Sequence, residues 1–207
     1  MLFAYNLNND AAGGCHDADC GLTDFGCEVV REMNRVGMIV DCSHAGYQTT
    51  MDIIDESSKA VVFSHSNPVA VWDHQRNIKD EQIRACARRG GVIGLNGMGI
   101  FLGDNDIRIE TLLQHVRYVS DLVGADHIGI GFDYSPDIDV DISVILRSRP
   151  DFWPSGQQYD TKAIKHAGPA ELPGLIDALA DSGFDEKDIR GFLGENFKRI
   201  AAAAWQP

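Results

Sequence analysis

Two histidines end two similar apolar runs: His44 in "GMIVDCSHAG" (37–46) and His65 in "AVVFSHSNP" (60–68). Each run is β-branched, reads as a short buried strand and closes on the same Ser-His pair, 21 residues apart. Imidazole is the commonest neutral metal ligand, and neighbouring strand ends bring side chains within reach of a shared ion. A lone histidine at a strand end is more often a hydrogen-bonded structural residue; the repeat favours a metal site. Asp133, in "GIGFDYSPD", ends another apolar strand, where glycines let the backbone crowd close. Its carboxylate is either a turn or cap residue or a general acid or base beside an activated water. Arg76, in "DHQRNIKDE", is either a solvated surface charge or a bidentate holder of a substrate carboxylate. His74 has no strand context and reads as surface, while His115, His127 and His166 read as structural.

Alternating helices and strands must position these groups. Thr23 is a plausible N-cap for a helix that stops at Gly37, followed by a strand at 38–43 and a helix over "GYQTTMDIIDESS". The strand at 60–64, a helix at 79–91, the strand at 92–97, an amphipathic helix at 106–124 and the strand at 127–133 follow. A polar loop covers 134–168, and helices near 169–182 and 185–203 end the chain. Nearly continuous apolar strands alternating with helices indicate an α/β fold whose parallel sheet is covered by helices. With His44, His65, Asn96 and Asp133 at C-terminal strand ends, the pattern matches the active rim of a TIM-like (β/α) barrel. Only about four strands are legible, so the expectation is a partial barrel or an open sheet in a single domain, 1–207.

Bulk properties narrow the function. A net charge of −13 over 207 residues leaves no basic stripe for nucleic acid or an anionic membrane. No apolar run approaches the roughly 20 residues that cross a bilayer, and no signal segment opens the chain, which implies a cytoplasmic location. The five cysteines lack regular spacing and read as reduced thiols. "CHDADC" (15–20) offers four possible ligands, but its spacing departs from structural zinc sites, which favours a polar loop.

The segments "GLTDFGCEVVREMNRVGMIVDCSHAG", "VVFSHSNP", "RNIKDE", "GGVIGLN" and "GADHIGIGFDYSPD", with the closing "GFLGENFKRI", resemble the zinc-dependent membrane (renal) dipeptidase family. The resemblance implies a TIM-like barrel of the amidohydrolase type with two zinc ions, in which a metal-bound hydroxide hydrolyses small dipeptides. It puts His44 and His65 at the ligands of the second zinc, Arg76 at the substrate carboxylate and Asp133 at the acid/base position. Tyr5 falls near a substrate-facing histidine of mammalian members, and Ser135 replaces the second aspartate of the family's "D-F-D". The family's first-zinc His-x-Asp pair and bridging Glu have no counterpart, so the chain corresponds to the C-terminal portion of such an enzyme. At most one weakly held zinc is therefore expected. Two other functions are compatible: a non-catalytic truncated barrel acting as a binding module, and a related hydrolase of small amides or lactones. Exposed apolar sheet edges at Ile39, Val40, Ile128 and Ile130 imply a homodimer.

Overall fold

The computed structural model describes residues 2–136 and 147–205. Helix α1 (Asp24–Arg35) starts where the Thr23 hydroxyl accepts the Gly26 N–H at 3.0 Å, and it turns out at Gly37, φ +76°. That left-handed backbone favours glycine, which has no Cβ to clash. Helix α2 (Tyr47–Glu56) begins at Gly46, which has no side chain to cap it. Asp19 does so from the "CHDADC" loop, accepting the Gln48 and Thr49 N–H groups and the Thr49 hydroxyl.

Strands β1 (Val62–Phe63), β2 (Val92–Leu95) and β3 (Ile128–Ile130) form one parallel sheet in the order β1-β2-β3. Val62 pairs with Val92, and Ile93 with Ile128. The connections are helical. Helix α3 (Asp80–Arg88) lies between β1 and β2, while α4 (Gly99–Leu102) and α5 (Ile109–Val123) lie between β2 and β3. The stripe Leu112, Val116 and Val119 buries α5 against a core that includes Val30, Ile53, Phe63, Ile83 and Ile93. Its outer neighbour is α6 (Leu172–Asp181), followed by α7 (Glu186–Arg190) and α8 (Asn196–Ala204).

The sequence pattern overstates the strands. Segment 38–43 is not a ladder strand: it makes single parallel bridges, Asp41 to Val62 and to Leu2. The cause is Asp41, whose side chain turns back and accepts the Ser43 and Ser64 N–H groups, both at 3.0 Å, in place of main-chain partners. Nor is this side an open edge. Phe3 N–H reaches the Asp41 carbonyl at 3.2 Å, and Val40 is buried. The helix expected at 185–203 is broken by a π turn at Gly191–Glu195, where Gly194 has φ 153°. Beyond the break, Asn196 Nδ2 donates to the carbonyls of Ala125 and Ile128, and Arg199 to those of Gly90 and Asp126. These bonds fasten the last helix to the N-terminal ends of β2 and β3.

Two glycines let the strand ends meet. A Cβ at Gly94 would sit 2.0 Å from the Ser64 carbonyl oxygen, and one at Gly131 would sit 1.9 Å from the same atom. Ser64 precedes His65, and Gly131 lies two residues before Asp133, so this close approach brings the two candidate side chains to one end of the sheet. Part of the expected 134–168 loop, residues 137–146, lies outside the described residues.

Candidate metal and substrate site

His44 and His65 face each other, Nε2 to Nε2, at 2.9 Å. Which hydrogens they carry follows from their other partners. His44 Nδ1 lies 2.6 Å from Asn6 Oδ1, and Asn6 is oriented by its Nδ2 donating to the Phe152 carbonyl at 3.0 Å. An amide oxygen can only accept, so His44 carries its proton on Nδ1. Ser64 Oγ lies 2.5 Å from Asp41 Oδ2 and 2.6 Å from His65 Nδ1. The carboxylate takes the one hydroxyl hydrogen, so Ser64 must accept from His65 Nδ1–H. Both Nε2 atoms are thus bare, and two lone pairs point at one another.

Protonation does not relieve this arrangement. Burial, then the Arg76 charge, push His44 far below the ordinary imidazole range, and the same two causes lower His65 against the opposing pull of Asp133 and Asp41. The facing Nε2 lone pairs themselves make the pair a candidate for a shared cation. Two nitrogens bound at about 2.0–2.1 Å to one tetrahedral zinc stand roughly 3.3 Å apart, near the separation here. The donor set is partial: a catalytic zinc takes three protein ligands, and among the described residues no group of three or more His, Cys, Asp or Glu comes together. Of the "CHDADC" side chains, His16 bonds the Tyr159 hydroxyl at 2.7 Å and Asp19 caps α2, while Cys15 lies beside the site, 3.6 Å from the same Asn6 Oδ1 that accepts from His44.

Arg76 is buried, 3 % exposed, rather than solvated. It donates to the Ser66 hydroxyl at 3.3 Å and the His65 carbonyl at 3.1 Å, while its Nε has no partner among the described residues. Among the described residues no carboxylate lies within ion-pair distance of it. His74, read from sequence as surface, is also buried. Its Nδ1 accepts the Arg76 N–H at 3.0 Å and its Nε2 donates to the Gln157 carbonyl at 2.8 Å, so it orders the Arg76 loop. Sequence gave no sign of this, because Gln157 is 83 residues away.

Tyr5 is 46 % exposed and stacks on the His44 ring, centroids 4.2 Å apart. Burial of the hydroxyl and the nearby Asp133 charge raise its pKa, with Arg76 opposing. Asp133 is exposed, and its charge acts on His65, Tyr5 and His166. His44, Asp133 and Asn6 all have positive φ (68°, 56° and 63°), conformations that cost non-glycine residues about 1–2 kcal/mol each. Asn105, Gln158 and Ala163 share that region elsewhere in the chain, so positive φ alone does not single out the site. The three remaining histidines divide: His115 Nε2 bonds the Leu102 carbonyl and His127 Nδ1 the Gly91 carbonyl, both at 2.8 Å, whereas among the described residues both His166 nitrogens are buried without a partner. Asn6, Asp41 and Ser64 were not singled out from sequence, although the repeated Ser-His pair was a visible signal of the last. Both serines serve His65: Ser43 Oγ accepts its N–H at 3.1 Å, and Ser64 its ring.

The model of the membrane dipeptidase family, peptidase family M19, matches residues 1–141. The chain belongs to the membrane dipeptidase family. It is 33 % identical to a Pseudomonas aeruginosa amidohydrolase of solved structure, with a TM-score of 0.86 over 99 % of this chain and 64 % of that one. A Rhodobacter sphaeroides metallopeptidase, solved with a phosphinate mimic of the dipeptide L-Ala-D-Ala, is 25 % identical, with a TM-score of 0.68 over 94 % and 50 % of the two chains. An uncharacterized dipeptidase of Schizosaccharomyces pombe is 34 % identical over 119 residues, 56 % of this chain and 29 % of that protein. The chain thus spans about two thirds or less of the length of these relatives. Among the described residues, no helix is long and apolar enough to cross a membrane.

Proposed function

We propose that this chain carries the substrate-anchoring and second-metal part of a dipeptidase site on a partial (β/α) barrel. The observation that supports it most is the His44–His65 pair with two bare Nε2 atoms at 2.9 Å. His44 and His65 would be two of the ligands to a zinc ion. When bound, the cation supplies a Lewis acid for the scissile carbonyl and activates water near neutral pH.

The chain's own residues do the rest. Arg76, a buried fork with no carboxylate partner among the described residues, takes the substrate's C-terminal carboxylate and so places the peptide bond. Asp133, exposed at the end of β3, carries the proton to the leaving amine. Tyr5 lies over His44 and keeps water off that face of the ring. A single carboxylate anchor at Arg76 suits a small dipeptide-like substrate; a cavity of about 170 Å³ adjoins Arg76 and His44, but its lining does not include His65 or Asp133. The second reading, a binding module that retains Arg76 without chemistry, draws on the missing third ligand among the described residues.

Zinc titration with an assay of L-Ala-D-Ala hydrolysis, alongside a panel of small amides and lactones, separates these readings. Zinc binding lost in His65→Ala, with dipeptide turnover, supports the enzyme. Carboxylate binding without zinc or turnover leaves the module, and turnover of lactones alone reassigns the substrate.

A further inference from the structure

The relay from Asp41 to His65 has a direction, and only one of its members can set it. The Ser64 hydroxyl can donate or accept, and a neutral imidazole can carry its proton on either nitrogen. A carboxylate accepts only. Asp41 Oδ1 takes the Ser43 and Ser64 N–H groups, both at 3.0 Å, which fixes the carboxylate in place, and Oδ2 then draws the Ser64 hydroxyl hydrogen. All further hydrogens in the chain must point toward Asp41.

We propose that Asp41, acting through Ser64, is a positioning residue that holds His65 in its Nδ1–H form and so keeps Nε2 free for a cation. The inference rests on the metal reading given above for the consequence, but not for the relay itself. Asp41 is nearly buried, and it lies two bonds of the relay away from the imidazole it controls. His44 is held the same way by a neutral group, Asn6 Oδ1. The two imidazoles are thus set independently, from opposite sides of the pair.

The substitution Asp41→Asn reverses the relay without changing its shape. Asn Oδ1 still accepts the two main-chain N–H groups, but its Nδ2 now donates to Ser64 Oγ. Ser64 must then donate to His65 Nδ1, which moves the imidazole proton to Nε2. That proton points at the bare Nε2 of His44, and an ordinary His–His hydrogen bond closes the cation site.

The test is nitrogen-15 NMR of histidine in the metal-free protein, with cobalt or zinc affinity measured in parallel. Wild type is expected to show His65 protonated on Nδ1, and D41N on Nε2, with metal affinity at least ~10-fold weaker, as for other groups that orient a ligand from behind. Thermal stability of D41N should stay close to wild type, which a merely structural carboxylate would not allow. Ser64→Thr, which keeps the hydroxyl, should retain the Nδ1–H form, and Ser64→Ala should lose it; these two carry the test if D41N does not fold. An unchanged His65 tautomer in D41N or S64A, or wild-type His65 protonated on Nε2, overturns the proposal. If the tautomer reverses as described but wild type binds no metal, the relay stands and the metal reading falls.

Discussion

Replacing Arg76 by methionine separates a charge kept for a ligand from one kept for the fold. The guanidinium is 3 % exposed and has two hydrogen bonds, to Ser66 Oγ and the His65 carbonyl, with Nε unpartnered among the described residues. At about 1.5 kcal/mol for each bond from a charged donor, the substitution forfeits roughly 3 kcal/mol. Against this, it removes an ion that has no carboxylate partner among the described residues, whose burial costs several kcal/mol. The two nearly cancel, so Arg76→Met should unfold within about 1 kcal/mol of wild type, a shift of only about 2–4 °C for a domain of this size. A structural arginine in a closed ion pair would instead cost about 3–5 kcal/mol. The assay is urea unfolding with and without a phosphinate dipeptide mimic. At 100 times its Kd the mimic should add about 2.7 kcal/mol to wild type and nothing to R76M. A loss above about 3 kcal/mol on substitution, or ligand stabilisation that survives it, refutes the reasoning.

Acid should destabilise the chain through its buried imidazoles. Burial pushes His115 and His16 down to about 4, so below the unfolded value of 6.5 the unfolded chain binds protons that the folded one refuses. Stability present above pH 6.5 is lost as the pH falls toward 4; between pH 7.5 and 5.5 each group removes about 1.3 kcal/mol, and His115→Gln should flatten the profile by that amount in urea titrations. His44→Gly should abolish zinc binding, and its relief of the positive φ should offset only part of the lost Asn6 hydrogen bond and Tyr5 stack; a variant that still retains zinc through dialysis counts against the pair. Among the described residues β3 pairs only with β2, but Ile128, expected at an exposed edge, is buried and its carbonyl accepts from Asn196, so self-association is expected only at Ile130; light scattering that finds a monomer at micromolar concentration rules it out.

Local patterns in the sequence decided the parts of this protein that local physics decides. Thr23 and Gly37 bound α1, the stripe on α5 faces the core, and apolar runs carry the parallel strands, because capping, helical period and strand burial are all read within a dozen residues. The same runs placed His65 just beyond a strand end, although the run before His44 is no strand, and their motifs carried the family. What the sequence could not show was anything set by a partner far along the chain. Segment 38–43 has the composition of a strand, yet the Asp41 side chain displaces its ladder by reaching Ser64, 23 residues away. His74 looks like a surface residue and Arg76 reads as either a solvated charge or a carboxylate holder; only the return of the chain at Gln157 and the contact with the His65 carbonyl bury them. The tautomers at the site depend on Asn6 held by Phe152, 146 residues distant, and on Ser64 held by Asp41. Residue type fixes what a side chain can donate or accept; only the tertiary fold chooses its partner, and with it the direction of every hydrogen bond at the site.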